Sequence, residues 1–115
     1  IIGGDFNIIL REIDCFAPEE WSGDALYSVK VKEILFKILN LGFVDSFRAF
    51  YPEKKEFSFW DYQNGAWQKD NGIRIDLMLS SPEVTDLILN TGIDKSIRGL
   101  NKPSDHTPVW LEIKH

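Results

Sequence analysis

The stretch that decides the fold is residues 73–81, IRIDLMLSS, which follows an Asn-Gly turn signal at positions 71 and 72. Its apolar and polar positions alternate as they do in a β-strand that buries one face. Four aliphatic side chains face one side of the predicted strand: Ile73, Ile75, Leu77 and Leu79. Arg74 and Asp76 face the other side, so the strand combines a core face with a polar face.

Upstream of this strand, residues 28–41 predict an amphipathic helix. Its apolar positions recur with the spacing of one buried helical face: Val31, Ile34, Leu35, Ile38 and Leu39. Ser28 is a suitable N-cap, and Gly42 a suitable stop. Residues 43–50 predict a second, shorter helix that begins at Asp45 and ends near Pro52.

The remaining segments predict three further strands and one short helix. An interior strand is predicted from residue 1, and the aromatic run 57–62 (FSFWDY) predicts another strand. A helix is expected at 82–89 and a final strand at 107–113. The order β-α-α-β-β-α-β is typical of an α/β layered fold. Because the chain opens on apolar residues without a starting methionine, we expect it to be a fragment.

The composition limits the class of protein. The 115 residues suffice for one small domain, with 43% hydrophobic and 27% charged residues. No apolar run approaches the roughly 18 residues of a membrane span, so no membrane partner is expected. Cys15 is the only cysteine, which excludes a disulfide framework and fits a cytoplasmic location. The net charge of −5 argues against a passive nucleic-acid-binding module, but not against an enzyme that acts on phosphates.

Polar residues stand where a site could form. Asp5 and Asn7 follow an apolar stretch, and Asp76 lies on the polar face of its strand. Each has a structural alternative, because Asp5 could be a turn residue and Asp76 a satisfied structural carboxylate. If Asp105 and His106 enter an extended segment, their side chains point to opposite sides. Asp76 is then the best candidate to orient His106, although residues 104 and 105 could instead form a turn.

These residue types favour hydrolysis by an activated water molecule. The sequence offers several acids, an asparagine and a histidine, but no serine or cysteine in a recognisable nucleophile motif. Hard oxygen ligands favour Mg²⁺ or Mn²⁺ over zinc. His106 could act as a hydrogen-bond donor or as a base, because its charge state can be tuned near neutral pH.

Four short motifs occur in order along the chain: GDFN at 4–7, FSFWDY at 57–62, GIRID at 72–76 and KPSDHTPV at 102–109. Together they resemble the C-terminal half of the exonuclease III family, in the abasic-site endonuclease branch of the endonuclease/exonuclease/phosphatase superfamily. The first and last motifs alone imply only the superfamily. The aromatic run and the GIRID strand point to the DNA-repair branch.

The resemblance implies a catalytic role for each polar residue of the motifs. Asp5 matches the aspartate that handles the proton of the attacking water or of the leaving group. Asn7 matches the asparagine that hydrogen-bonds to the phosphate. Asp76 matches the carboxylate paired with the catalytic histidine, and His106 matches that histidine. Asp105 matches an acid at the metal site, to which Asp5 and Asn7 are also assigned.

The resemblance also implies substrate contacts. Phe59 stands where the family places an aromatic ring against the sugar that has lost its base, and Trp60 is its neighbour. Arg74 is assigned to the substrate as well. The alternative for both rings is core packing, which we favour for Trp60, whereas we favour the site for Phe59.

The implied fold is one half, a single sheet with outer helices, of a four-layer α/β/β/α sandwich of the DNase I-like type. Residues 1–115 would form one incomplete domain. The family's other half supplies a further asparagine, the principal metal-binding glutamate and a tyrosine. We therefore expect the isolated chain to be inactive or nearly so, and to self-associate through its uncovered sheet face.

The implied parent is a Mg²⁺-dependent exodeoxyribonuclease III and abasic-site endonuclease. It would act on double-stranded DNA at abasic sites or 3′ ends. One alternative is a phosphoinositide phosphatase of the same superfamily, which needs a basic pocket for the head group. Another is a non-catalytic remnant or assembly module.

Overall fold

The structure, a computed structural model, describes residues 1–115 as an α/β fold. Its strands are β1 (Ile2–Asp5), β2 (Val44–Asp45), β3 (Asp76–Ser80), β4 (Ile88–Ile93) and β5 (Val109–Ile113). Its α-helices are α1 (Val29–Asn40), α2 (Ser46–Phe50), α3 (Pro82–Thr85) and α4 (Lys95–Arg98). None of these helices is long and apolar enough to cross a lipid bilayer.

Helix α1 confirms the predicted amphipathic helix, except that Ile34, predicted on the buried face, is 56% exposed. Leu35 is 1% exposed and belongs to a cluster with Leu77 and Leu79 of β3. Ser28 occupies the N-cap position, although its side chain accepts no capping hydrogen bond. Gly42 follows the C-cap with φ of 109°, a conformation that disfavours residues with a Cβ, and so ends the helix.

The central strand of the first sheet is β3. It pairs antiparallel with β1 on one side and with β2 on the other. Leu77 and Leu79 are 1% and 0% exposed, which confirms the predicted core face. The expectation of an interior first strand was wrong, because β1 is an edge strand whose residues are all exposed.

Strands β4 and β5 form a second, two-stranded antiparallel sheet. Phe59 lies between the two sheets, because it forms isolated bridges both with Ile73 and with His106. The predicted strand at 57–62 was otherwise wrong, since Phe57 and Trp60 are core residues that form no ladder. The predicted helix at 82–89 is shorter than expected, and β4 begins at Ile88.

The predicted second helix is shorter than the range 43–50 expected for it, although its start at Asp45 is correct. Val44–Asp45 form β2, and α2 follows with Asp45 as its N-cap. The Asp45 side chain accepts a hydrogen bond from the Arg48 amide at 3.5 Å, which confirms Asp45 as the start of the helix.

Candidate active site

Two carboxylates meet where β1 ends and β3 begins. The register places Asp5 directly opposite Asp76. Directly paired residues of an antiparallel ladder share one face of the sheet, and like charges in such a pair repel each other. An arrangement of this kind is stable when a cationic group lies beside the pair.

His106 supplies that group. Its Nδ1 lies 2.8 Å from Oδ2 of Asp76, and its Nε2 lies 3.8 Å from Oδ2 of Asp5. Phe59 supports the ring edge-on, with ring centroids 5.1 Å apart. The side chain of His106 is 32% exposed and that of Asp5 36%, so the cluster is accessible to a substrate.

The surroundings alter the charge state of His106. Partial burial lowers its pKa, but the hydrogen bond to Asp76 and the charges of Asp76, Asp5 and Asp105 raise it. The net effect is a pKa above the usual value for histidine. The ring therefore keeps its positive charge to higher pH than a free histidine does.

Asp5 is held in place by its own turn. Its Oδ1 accepts a hydrogen bond from the Asn7 amide at 2.8 Å. Asn7 has φ of 52°, in the left-handed region that asparagine tolerates better than most residues. The amide of Phe6 donates to the Ile75 carbonyl at 2.9 Å, which ties this turn to the start of β3. Asp5 thus serves the turn through one oxygen and faces His106 with the other.

The two carboxylates of this cluster are oxygen donors of the kind that a divalent cation binds, whereas a protonated His106 has no lone pair to offer a metal. Ligand atoms of Asp5, Asp76 and His106 all lie within 4.8 Å of one another. Mg²⁺ in phosphate-handling sites commonly uses one or two carboxylates and completes its shell with water and phosphate oxygens. Asp105 is not a member of this group of three, so its metal role stays a prediction.

The two predicted aromatic contacts separate clearly. Phe59 is partly exposed beside His106 and lines a cavity of about 170 Å³ together with Trp21 and Ile73. Trp60 is 0% exposed, and its Nε1 donates to Asp70 Oδ1 at 3.0 Å. The core packing that we favoured for Trp60 is therefore confirmed, and its ring is not available to a substrate.

The assignment of Arg74 to the substrate was also wrong. Arg74 is 1% exposed. Its Nε donates to Asp14 at 2.8 Å, and its Nη1 and Nη2 donate to Asp45 at 3.1 and 2.5 Å. Burial alone lowers the pKa of Arg74, but the two carboxylates raise it by a larger amount. The guanidinium therefore stays charged. The side chain of Arg74 is 1% exposed, so its donors face the core and are not accessible to a ligand.

Sequence reasoning missed Ser58, the small residue inside the aromatic run. It is 0% exposed, and its Oγ accepts hydrogen bonds from the amides of Ile75 and Asp76 at 3.1 Å each. The only signal in the sequence was one hydroxyl among bulky rings. Ser58 thus contacts the backbone of a candidate catalytic residue.

The fold and this cluster define an α/β protein with a carboxylate-histidine site at the edge of a sheet. The sequence model of the Endonuclease/Exonuclease/phosphatase family matches residues 1–106. The chain therefore belongs to the endonuclease/exonuclease/phosphatase family.

Curated relatives support this placement. The chain is 36% identical over 114 residues to an exodeoxyribonuclease of Bacillus subtilis, which covers 98% of the chain and 44% of that protein. It is 31% identical to exodeoxyribonuclease III of Haemophilus influenzae, covering 99% of the chain and 45% of that protein. It is 34% identical to DNA repair nuclease APEX1 of Danio rerio, covering 96% and 35%. The chain thus spans less than half the length of these relatives.

Solved structures share the fold closely. The 3′ phosphatase NExo from Neisseria, bound to a product DNA hairpin, superposes with a TM-score of 0.94 at 34% identity. An AP endonuclease from Archaeoglobus fulgidus gives 0.93 at 30% identity. Each match covers 98% of the chain and 44% of the solved chain. This likeness confirms the predicted α/β half-fold of the DNase I-like type.

Proposed function

We propose that residues 1–115 are the C-terminal half of a divalent-metal-dependent DNA-repair phosphodiesterase. The intact protein incises DNA at abasic sites and trims 3′ ends, as an abasic-site endonuclease and 3′-5′ exodeoxyribonuclease. The observation that carries the proposal is the contact of His106 with Asp76 through one ring nitrogen and its approach to Asp5 through the other. The names of the relatives agree with this activity.

In the proposed reaction, His106 binds the scissile phosphate. Asp76 accepts a hydrogen bond from Nδ1–H of His106, which fixes the orientation of the ring. Nε2–H is then left to donate a hydrogen bond to a phosphate oxygen. The raised pKa of His106 extends the pH range over which the ring is cationic, and a cationic ring stabilises negative charge that develops on the phosphate. This charge-assisted contact is the main contribution of the ring to the reaction.

Asp5 handles the proton that the reaction moves. A water oxygen forms a bond to phosphorus, the bond from phosphorus to the leaving oxygen breaks, and the proton that Asp5 accepts from the water passes on to the leaving oxygen. The Asn7 side-chain amide donates to the phosphate. A Mg²⁺ or Mn²⁺ ion held by Asp5, Asn7 and Asp105 would neutralise charge on the phosphate.

Phe59 provides the contact for the sugar. Its ring lies against His106 and borders the cavity of about 170 Å³. A deoxyribose without a base presents an apolar surface that an aromatic ring covers well. Double-stranded DNA with an abasic site, or with a 3′ end, is therefore the proposed partner.

The isolated chain should be inactive or nearly so. Asp76 already binds His106, so few carboxylate oxygens of the chain remain for a metal. The chain also spans only 44% of its bacillary relative, which leaves room for further ligands in a longer protein. We regard residues 1–115 as one incomplete domain, whose cytoplasmic location fits the unpaired Cys15.

Self-association is part of the proposal. Large apolar side chains are exposed near the open edge of β1, including Ile1 at 54% and Ile2 at 44%. Exposed apolar surface of this kind favours pairing with another surface. Sedimentation of the isolated chain should show concentration-dependent association, and a monomer over the whole concentration range would contradict it.

The phosphoinositide alternative gains no support from three of the four arginines, while Arg11, the fourth, is exposed. Arg48, Arg74 and Arg98 are 9%, 1% and 5% exposed. Each donates to groups inside the protein, so none is free for a phosphorylated head group. A phosphate-release assay on an inositol phosphate tests this alternative, and no release is expected.

The deciding experiment is incision of a labelled duplex that carries one abasic-site analogue, in Mg²⁺ and in EDTA. The chain and the full-length gene product are compared, each with a His106→Ala control. Incision in Mg²⁺ by the full-length product alone supports both the abasic-site activity and the inactivity of the isolated chain. Incision by the chain itself would overturn its predicted inactivity, and incision by neither would overturn the DNA-repair assignment.

A further inference from the structure

Two separate segments carry the proposed active site, and no ladder joins them. Asp76 begins β3 in the three-stranded sheet, whereas His106 precedes β5 in the two-stranded sheet. The 2.8 Å contact between their side chains therefore needs another element to fix the distance between the two backbones.

Ser58 contacts both segments. Its Oγ accepts from the amides of Ile75 and Asp76, and its own amide donates to the Ile73 carbonyl at 2.9 Å. On the other side, its carbonyl accepts from the Thr107 amide at 2.8 Å. One residue thus binds the backbone of Asp76 and the backbone that directly follows His106.

The two amides at Oγ show why a hydroxyl is needed here. Successive amides of a regular strand point to opposite sides, so they do not normally share an acceptor. At Ile75 and Asp76 they converge on one oxygen, where the ladder is interrupted before β3 begins. Strand β2 pairs only with Leu79 and Ser80, so it offers these amides no acceptor.

We propose that Ser58 is a positioning residue that sets the His106–Asp76 contact by holding both backbones. The inference rests on the proposed function, because it concerns the same site. Without the hydroxyl, two buried amides lose their acceptor, and the start of β3 moves to find another. A displacement of about 1 Å at a catalytic pair can cost roughly a hundredfold in rate.

The test compares two fully buried serines. Ser58→Ala removes the hydroxyl at the site. Ser46→Ala is the matched control, because Ser46 is also 0% exposed and its Oγ bonds only Ser80 Oγ, at 2.9 Å, at the far end of β3. Ser58→Thr keeps a hydroxyl and serves as the rescue variant.

Two measurements are made on each variant. The first is the NMR signal of the His106 Nδ1 proton, whose downfield shift and slow solvent exchange report the bond to Asp76. The second is kcat and KM for incision of the abasic duplex, in the form of the protein that incises. The NMR measurement does not depend on activity.

Ser58→Ala should lose the downfield signal and lower kcat roughly tenfold to a hundredfold, with KM changed less than about twofold. Ser46→Ala should keep both, and Ser58→Thr should recover both. If Ser58→Ala does not fold, Ser58→Cys replaces it, because sulfur is a weaker acceptor and should give a smaller loss in the same direction.

Ser58→Ala with the signal and kcat of Ser46→Ala would overturn the inference, as would loss of the signal without loss of kcat. If no form of the protein incises abasic DNA, the proposed function fails. The NMR comparison then still shows whether Ser58 sets the His106–Asp76 contact.

Discussion

Two clusters of charged side chains meet near the start of β3, through Arg74 and Asp76, and they differ in exposure. The open cluster consists of Asp5, Asp76 and His106, with side chains 36%, 15% and 32% exposed. The sealed cluster consists of Asp14, Asp45, Arg48 and Arg74. Its side chains are between 0% and 8% exposed.

The clusters also differ in balance. The sealed cluster holds two acids and two arginines, and each acid accepts at least one arginine hydrogen bond. The open cluster holds two acids and one histidine, so it keeps a net negative charge even when the ring is protonated. Buried charges that form ion pairs stabilise a fold only while both partners are present. An unbalanced and accessible cluster, in contrast, can bind a cation and a phosphate.

The largest effect is expected from breaking the sealed cluster. Asp14→Ala removes the carboxylate that accepts from Arg48 at 2.6 Å and from Arg74 at 2.8 Å. Two buried arginines then lack a counter-charge, and the free energy of unfolding should fall by about 3–5 kcal/mol. Urea unfolding of the wild type and of Asp14→Ala measures this loss of free energy. A loss below about 1 kcal/mol would mean that the sealed cluster does not hold the fold together.

The reactivity of Cys15, which follows Asp14 in the chain, tests whether the core beside the sealed cluster stays closed to solvent. Cys15 is 0% exposed, and burial raises the pKa of its thiol to about 11. Thiolate is the reactive form, so a shift of this size lowers its fraction about a hundredfold relative to an exposed thiol. A thiol reagent at pH 8 should label the native chain at least a hundredfold more slowly than the chain in urea. Equal rates would show that this region opens readily.

Asp76→Asn tests the electrostatics of the open cluster. Asp76 is the main group that raises the pKa of His106, so the variant should have a lower His106 pKa. Because the folded pKa lies above the unfolded value near 6.5, His106 stabilises the wild type fully below about pH 6.5. That stability is lost as the pH rises through the raised pKa, and the variant should lack most of it. NMR titration gives the pKa of His106 in the wild type and in Asp76→Asn. Identical values would contradict the assigned Asp76–His106 pair.

The smallest effect is expected at an exposed pair. Lys54 and Glu56 lie 3.1 Å apart, with side chains 52% and 33% exposed. Water screens such pairs, so Glu56→Ala should change the free energy of unfolding by less than about 1 kcal/mol. The same urea series measures it. A loss as large as that of Asp14→Ala would show that burial is not what separates the two classes of ion pair.

The sequence predicts local structure where one periodicity dominates. Helix α1 and the core face of β3 follow directly from the spacing of their aliphatic residues. The prediction of a strand at 57–62 failed because Phe57 and Trp60 pack in a core cluster and form no ladder. Strand β4 contains asparagine and glycine and is a strand because β5 pairs with it, a distant contact that local propensity does not contain.

The site shows the same division. Strand alternation made Asp76 the best candidate to orient His106, which agrees with the 2.8 Å contact of the two side chains. Asp5 joined this pair only through the family resemblance. Alternation also placed Arg74 on the polar face with Asp76, but it did not reveal that Asp14 and Asp45 would close over the guanidinium. Which of two polar residues on one face stays accessible depends on residues 29 and 60 positions away along the chain.

The central claim is that the open cluster carries chemistry and the sealed cluster carries the fold. The most direct measurement is abasic-site incision by His106→Ala in the form of the protein that incises, with urea unfolding of the same sample. We predict a rate lower by about 10²–10⁴-fold and a loss of unfolding free energy well below the roughly 3–5 kcal/mol expected for Asp14→Ala. A variant that incises within about threefold of the wild-type rate would contradict the account.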